Sequence, residues 1–139
     1  MAMSMATIRV YAADERPIVL AGMRAVLHAP DSGMHLTGEA ASGQALLQML
    51  QTRFDCNVVV TDFSMQGADP RAGDGLRLLG QLRTRFPAIG VVVFTEVRNP
   101  PLLSAMLELG VHAIVDKSGA LDELPAAIRF AAGGRRYLS

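Results

Sequence analysis

Lys117 is the only lysine in a chain of 139 residues, and the other twelve basic residues are all arginine. It stands just past a short apolar run that ends in Asp116. Three other apolar runs end in chemically capable residues: Asp14 and Glu15 after the first, Asp62 after the third and Thr95 after the fourth. Three carboxylates brought together repel, and each resists ionisation. A hard divalent cation resolves that conflict. Mg²⁺ takes oxygen ligands and typically keeps several waters beside one or two carboxylates. A half-hydrated Mg²⁺ beside a carboxylate and a lysine is a phosphoryl site. The metal would neutralise phosphoryl oxygens, Lys117 would pair with another, and Thr95 could donate a hydrogen bond. Taken singly, each residue has an ordinary reading as a turn former, a helix cap or a solvated charge. Their joint placement at matching ends of four runs is what favours a shared site.

Five apolar segments, alternating with segments of helical period, must position these residues. The strands are read at Ile8–Ala13, His35–Ala40, Asn57–Asp62, Gly90–Thr95 and Val111–Asp116. Val58–Val60 and Val91–Val93 are unbroken β-branched runs, the signature of central strands buried on both faces. Helices are expected from Pro17 to about His28, from Ser42 as cap to Arg53, over Asp74–Arg85, from Pro100 to Gly110 and over Leu121–Ala132. Leu46, Leu47, Leu50 and Phe54 face inward on the second. Such βα alternation predicts a doubly wound parallel α/β sheet, (βα)₅, in the order 2-1-3-4-5. Chemistry then collects outside the carboxyl ends of the strands, at the switch between strands 1 and 3. Residues 1–7 read as a disordered lead-in, and 135–139 as the start of a truncated linker with no strand pattern.

Composition excludes several classes. Half the residues are apolar and 19% charged, so the chain is not disordered. Thirteen basic and thirteen acidic residues cancel, leaving no electrostatic footprint for autonomous nucleic-acid binding. No apolar run approaches the ~18 residues of a membrane span, and the start lacks a signal peptide. Cys56 is the one cysteine, which rules out an internal disulfide and fits a cytoplasmic protein. His28, His35 and His112 show no metal-ligand spacing.

Asp14-Glu15 followed by Pro17-Ile18-Val19, then Thr61-Asp62-Phe63-Ser64-Met65, Thr95 and Asp116-Lys117, resembles the receiver domain of bacterial two-component response regulators, a flavodoxin-like fold. The resemblance covers residues 8–134. It implies that Asp62 is the phosphoacceptor, served by a sensor histidine kinase or a histidine phosphotransfer protein. It also implies that Asp14, Glu15, Asp62 and the backbone carbonyl of Ser64 hold Mg²⁺, that Lys117 pairs with the phosphoryl group, and that Thr95 swings toward it. The chain would be no enzyme beyond self-phosphoryl transfer and autodephosphorylation. Pro17-Ile18-Val19-Leu20, Gly73-Asp74-Gly75, Asn99-Pro100, Leu103-Ser104-Ala105 and Gly119-Ala120 are similar to the RcsB-like subgroup. Its class carries a C-terminal LuxR/NarL-type helix-turn-helix, so DNA would be reached only through a domain absent here. A weak homodimer on phosphorylation is expected.

Five departures from the family pattern stand out. Gln66 replaces the usual proline, and about five extra residues precede Gly75 in a loop of the kind that tolerates insertion. Ile114 stands where a switch aromatic is common. Glu96 follows Thr95 where a small residue is usual, and Glu15 replaces the commoner aspartate. The competing reading is a phosphate-independent pseudo-receiver, an interaction or dimerisation module. A flavodoxin-like cofactor protein is a further class, but Asp14 and Glu15 would repel a bound phosphate.

Overall fold

The computed structural model describes residues 7–53, 55–65, 74–119 and 121–138. Among the described residues six strands form one parallel sheet: β1 (Ile8–Ala13), β2 (Met34–Ala40), β3 (Val58–Thr61), β4 (Gly90–Thr95), β5 (Ala113–Asp116) and β6 (Tyr137–Leu138). Their order is β2-β1-β3-β4-β5-β6, so the expected 2-1-3-4-5 arrangement holds, with its switch between β1 and β3. The helices are α1 (Pro17–Leu27), α2 (Gly43–Thr52), α3 (Asp74–Arg85), α4 (Pro100–Glu108) and α5 (Glu123–Ala132).

The valine runs explain why β3 and β4 lie centrally. Successive side chains of a strand point to opposite faces. Val59, Val91 and Val93 therefore enter the core under α2, α3 and α4, with Leu46, Leu50, Leu79, Leu82 and Met106. Val58, Val60 and Val92 enter the opposite core with Met23 and Leu27 of α1 and Leu124 and Ile128 of α5. Burial of both faces fixes the register, because a slip of one residue would exchange the two cores.

Local signals set the helix starts. Pro17 occupies the first turn of α1, where no N–H is needed. Ser42 caps α2, accepting from the Ala45 amide at 3.1 Å, and Asn99 caps α4 through the Leu102 amide at 3.2 Å. Helix α5 begins at Glu123, two residues later than the hydrophobic pattern placed it. Leu121 instead sits in the preceding turn and packs against the core of α1 and α5. On α1 the buried stripe is Leu20, Met23 and Leu27, with Val19 and Val26 half-buried at its margins. Phe54 lies outside the described residues. Cys56 is a core residue, and burial pushes its thiol up to about 12, with Asp55 adding to the effect.

The C-terminal tail differs from the linker reading. Gly134 takes a left-handed conformation (φ 74°) and turns the chain back along the free edge of β5. The Tyr137 amide then donates to the His112 carbonyl at 2.8 Å. The Tyr137 ring stacks on Phe130, and the Arg135 guanidinium lies 4.5 Å from the centre of the same ring. Two paired residues are too few to leave a periodic trace in sequence.

His112 Nδ1 accepts a hydrogen bond from the Val91 amide at 3.1 Å, which requires a neutral imidazole. Burial first, and then the nearby Arg83 and Arg136, hold its pKa below the usual histidine value. The unfolded chain thus binds this proton more readily than the folded one. Stability should be full above the ordinary histidine pKa and fall as pH drops through it toward the depressed folded value. Denaturant melts of wild type and His112→Gln across that window check this: the mutant should lose part of the slope, and an unchanged slope would contradict it.

Candidate functional site

The expected residues meet at the carboxyl edge of the sheet. Asp14 follows β1 and is wholly buried, and Asp62, following β3, is 7% exposed. Lys117, following β5, reaches between them. Its Nζ lies 2.6 Å from Asp14 Oδ2 and 3.2 Å from Asp62 Oδ2, with only 5% of the side chain exposed. Among the described residues the buried polar side chains are Asp14, Thr61, Asp62 and Thr95. Three of these four are the strand-end residues singled out by type. The isolated lysine is therefore no solvated charge: it is the shared cation of two buried carboxylates.

Each group is held by local backbone geometry. The Arg16 amide donates to Asp14 Oδ1 at 2.9 Å, an Asx-type turn leading into α1. The Ser64 amide donates weakly to Asp62 Oδ1 at 3.4 Å. Phe63 and Met65, on either side of Ser64, are buried and anchor the chain after Asp62. Gly75 is what lets α3 approach. A Cβ there would lie 2.5 Å from the Phe63 carbonyl oxygen and 2.7 Å from its ring. Gly75→Ala should therefore destabilise the domain by roughly 1–3 kcal/mol through overpacking beside Asp62. Urea denaturation measures this, and wild-type stability would refute the packing argument.

Charge in the site is unbalanced. Burial raises the Asp62 pKa above the ordinary carboxylate value; Lys117 opposes this, and Asp14 reinforces it. Asp14 Oδ2 has the ammonium close by but no hydrogen bond of good geometry. The contact is chiefly Coulombic, and one buried oxygen is left with bonding capacity to spare. The donors here are all oxygens with an excess of negative charge, which fits a hard divalent cation.

The expected trio of acidic ligands is not gathered into one cluster. Among the described residues no group of three His, Cys, Asp or Glu stands in metal-holding proximity. Glu15 is exposed and lines an open cleft with Arg16, Asp62, Ser64, Thr95, Glu96 and Val97. Thr95 is buried, and its Oγ1 accepts from the Val97 amide at 3.0 Å. It also lines a more apolar groove with Val97, Arg98, Leu103, Leu107, Ile114 and Asp116. Thr95 is thus the wall between the cleft and the α4–β5 groove. Ile114 packs against the core on the groove side. Residues 66–73, which carry the insertion, lie outside the described residues.

Sequence reasoning missed the part played by Arg16. It pairs with Glu96 at 3.3 Å across 80 residues of chain, and its Nε lies 3.9 Å from Asp14 Oδ1. Arg98 likewise pairs with Asp116 at 3.1 Å and donates to Ser118 Oγ. Only an excess of arginine in the strand-end loops could have hinted at either.

A parallel sheet in this order, with a lysine shared by two buried acids at its carboxyl edge, has the architecture of a receiver domain, and comparison with known proteins agrees. The family model for the response regulator receiver domain matches residues 10–129, and the chain belongs to that family. The transcriptional regulatory protein RcsB of Escherichia coli (strain K12) is 35% identical over 133 residues, covering 96% of this chain and 60% of the relative. The response regulator GacA of Pseudomonas protegens is 30% identical over 132 residues, 95% of this chain and 59% of the relative. The isolated REC domain of RcsB from Salmonella enterica serovar Typhimurium, solved with the phosphomimetic BeF3-, superposes with a TM-score of 0.83 at 34% identity. That match covers 96% of this chain and 94% of the other. The chain spans about three fifths of the length of the curated relatives it matches. A phosphate-independent interaction module is not favoured. No helix among the described residues is long and apolar enough to cross a membrane.

Proposed function

We propose that the chain is the phosphoryl-accepting switch of a transcriptional response regulator, with Asp62 as the acceptor. One observation carries the choice of residue. Asp62 both contacts Lys117 and opens on the cleft. Asp14 shares the ammonium but is sealed from solvent, whereas Glu15 lines the cleft and has no ion pair with Lys117 among the described contacts. A carboxylate oxygen of Asp62 attacks the phosphorus of a phosphohistidine on a sensor kinase or phosphotransfer protein. The new P–O bond forms as the P–N bond breaks, and its electron pair returns to the imidazole, which is released as a neutral ring after protonation.

Lys117 is already aimed at Asp62 and balances charge on the incoming phosphoryl oxygens without reorganising. Asp14, Glu15, Asp62 and the Ser64 carbonyl would hold Mg²⁺, which when bound supplies further neutralisation of those oxygens. Asp14, wholly buried, fixes Lys117 from behind. Thr95 Oγ1 accepts from the Val97 amide and keeps its own proton to donate to a phosphoryl oxygen, so turning toward that oxygen draws on the Val97 contact. The wall between cleft and groove then moves, and with it the segment leading into α4. Output follows from that change, through homodimerisation and through DNA contacts made by a C-terminal domain. Solved RcsB structures support this direction, one of them described as two RcsB dimers bound to two parallel DNAs. The same reading places the protein in the cytoplasm.

Mass spectrometry after incubation with Mg²⁺ and acetyl phosphate tests the acceptor. The metal ligands are tested separately with Mn²⁺ as a paramagnetic stand-in. Amide signals of residues 14–16 and 62–64 should broaden first, and broadening centred elsewhere would overturn the ligand assignment.

A further inference from the structure

The segment after Thr95 is tied down on both sides. Glu96 is held by Arg16 from the turn before α1, and Arg98 is held by Asp116 at the end of β5 and Ser118 in the turn after it. Arg16 and Glu96 are both substantially exposed, at 49% and 67% of their side chains, and both line the cleft that Asp62 opens on. An exposed pair of this kind is worth little, so it exchanges partners easily. A phosphoryl group on Asp62 brings close to two negative charges into the same cleft, with three strong acceptor oxygens. Guanidinium offers a fork that matches such oxygens bidentately, and one exposed carboxylate is a poor competitor for it.

We propose that Arg16 is a second cationic ligand of the phosphoryl group, held in reserve by Glu96 until Asp62 is modified. This rests on Asp62 being the acceptor. In the unmodified protein Glu96 parks the guanidinium at the cleft mouth. On phosphorylation Arg16 turns inward, beside the charge that Lys117 already meets, and Glu96 is released. The loop then loses its tie to α1 but keeps its tie through Arg98, so it pivots about that end. Glu96 thereby sets how strongly the phosphorylated state is favoured.

Binding of beryllofluoride in the presence of Mg²⁺, followed by ¹⁹F NMR on the intact protein, tests the exchange at equilibrium. The chain has no tryptophan, so intrinsic fluorescence is a weak readout. Glu96→Gln should tighten binding roughly two- to fivefold by removing the competitor. Arg16→Gln should weaken it about tenfold. In the Arg16→Gln background, Glu96→Gln should lose most of its gain, a coupling that simple charge repulsion by Glu96 would not produce. Equal affinity of Arg16→Gln and wild type, or the same gain from Glu96→Gln in both backgrounds, overturns the proposal while leaving Asp62 as acceptor. Failure of wild type itself to bind overturns the acceptor reading and this one with it.

Discussion

Lys117→Met should slow phosphoryl uptake by roughly 10²–10³-fold, the cost of removing one preorganised charge from a developing anion. The same change should destabilise the unmodified domain, which is unusual for loss of a binding residue. Lys117 Nζ is 2.6 Å from Asp14 and 3.2 Å from Asp62, and its side chain is almost wholly enclosed. Methionine fills similar volume without charge, so two buried carboxylates would face each other uncompensated. Breaking a buried pair from one side costs about 3–5 kcal/mol. Part of this is recovered if Asp62 takes up a proton, since its pKa is already raised by burial. A carboxylate with a raised folded pKa loses stability as pH rises through that value. The mutant should therefore fall furthest below wild type at neutral pH and approach it under mild acid. Lys117→Arg keeps the charge but must fit a planar guanidinium where a compact ammonium sits. It should fold more stably than Lys117→Met and still fail to signal. Thermal melts from mild acid to neutral pH separate these cases, and a Lys117→Met protein as stable as wild type would contradict the shared-cation geometry.

Asp62→Asn should do the opposite to stability while abolishing function. An amide cannot form the acyl phosphate, so uptake should fall below detection. The folded protein should nonetheless melt higher than wild type near neutral pH. Burial of Asp62 and repulsion from Asp14 outweigh the help of Lys117, which is why its pKa lies above the ordinary value. Removing that ionisable group removes a net penalty that is present only while Asp62 is ionised. The advantage of the mutant should shrink as pH falls through the raised pKa and wild-type Asp62 becomes neutral. A mutant less stable than wild type at neutral pH would mean that the Lys117 pair dominates. The acceptor would then be a stabilising element, not a strained one.

How much of this was legible in the chain depended on the range of the interactions. The order of strands and the two cores followed from Val58–Val60, Val91–Val93 and the spacing of Leu46 and Leu50, which are local patterns. Asp14, Asp62, Thr95 and Lys117 were legible because a parallel sheet places all strand ends on one edge, whatever the details of packing. Tyr137–Leu138 were hidden because two residues carry no period, and their pairing depends on Gly134 turning the chain onto β5. Arg16 with Glu96, and Arg98 with Asp116, were hidden for another reason. Exposed ion pairs between distant loops have no sequence signature beyond charge itself. Glu15 illustrates the same boundary: its type suited a ligand, and it is exposed where it lines the cleft with Asp62, a placement its type alone does not reveal.

The most direct test is the mass of the intact protein after incubation with Mg²⁺ and acetyl phosphate, beside Asp62→Asn treated identically. Wild type should gain a single phosphoryl group that maps to Asp62, and the mutant should gain none. An unmodified wild type under conditions that label another receiver domain, or an adduct that survives in Asp62→Asn, would contradict the assignment of Asp62 as the phosphoacceptor.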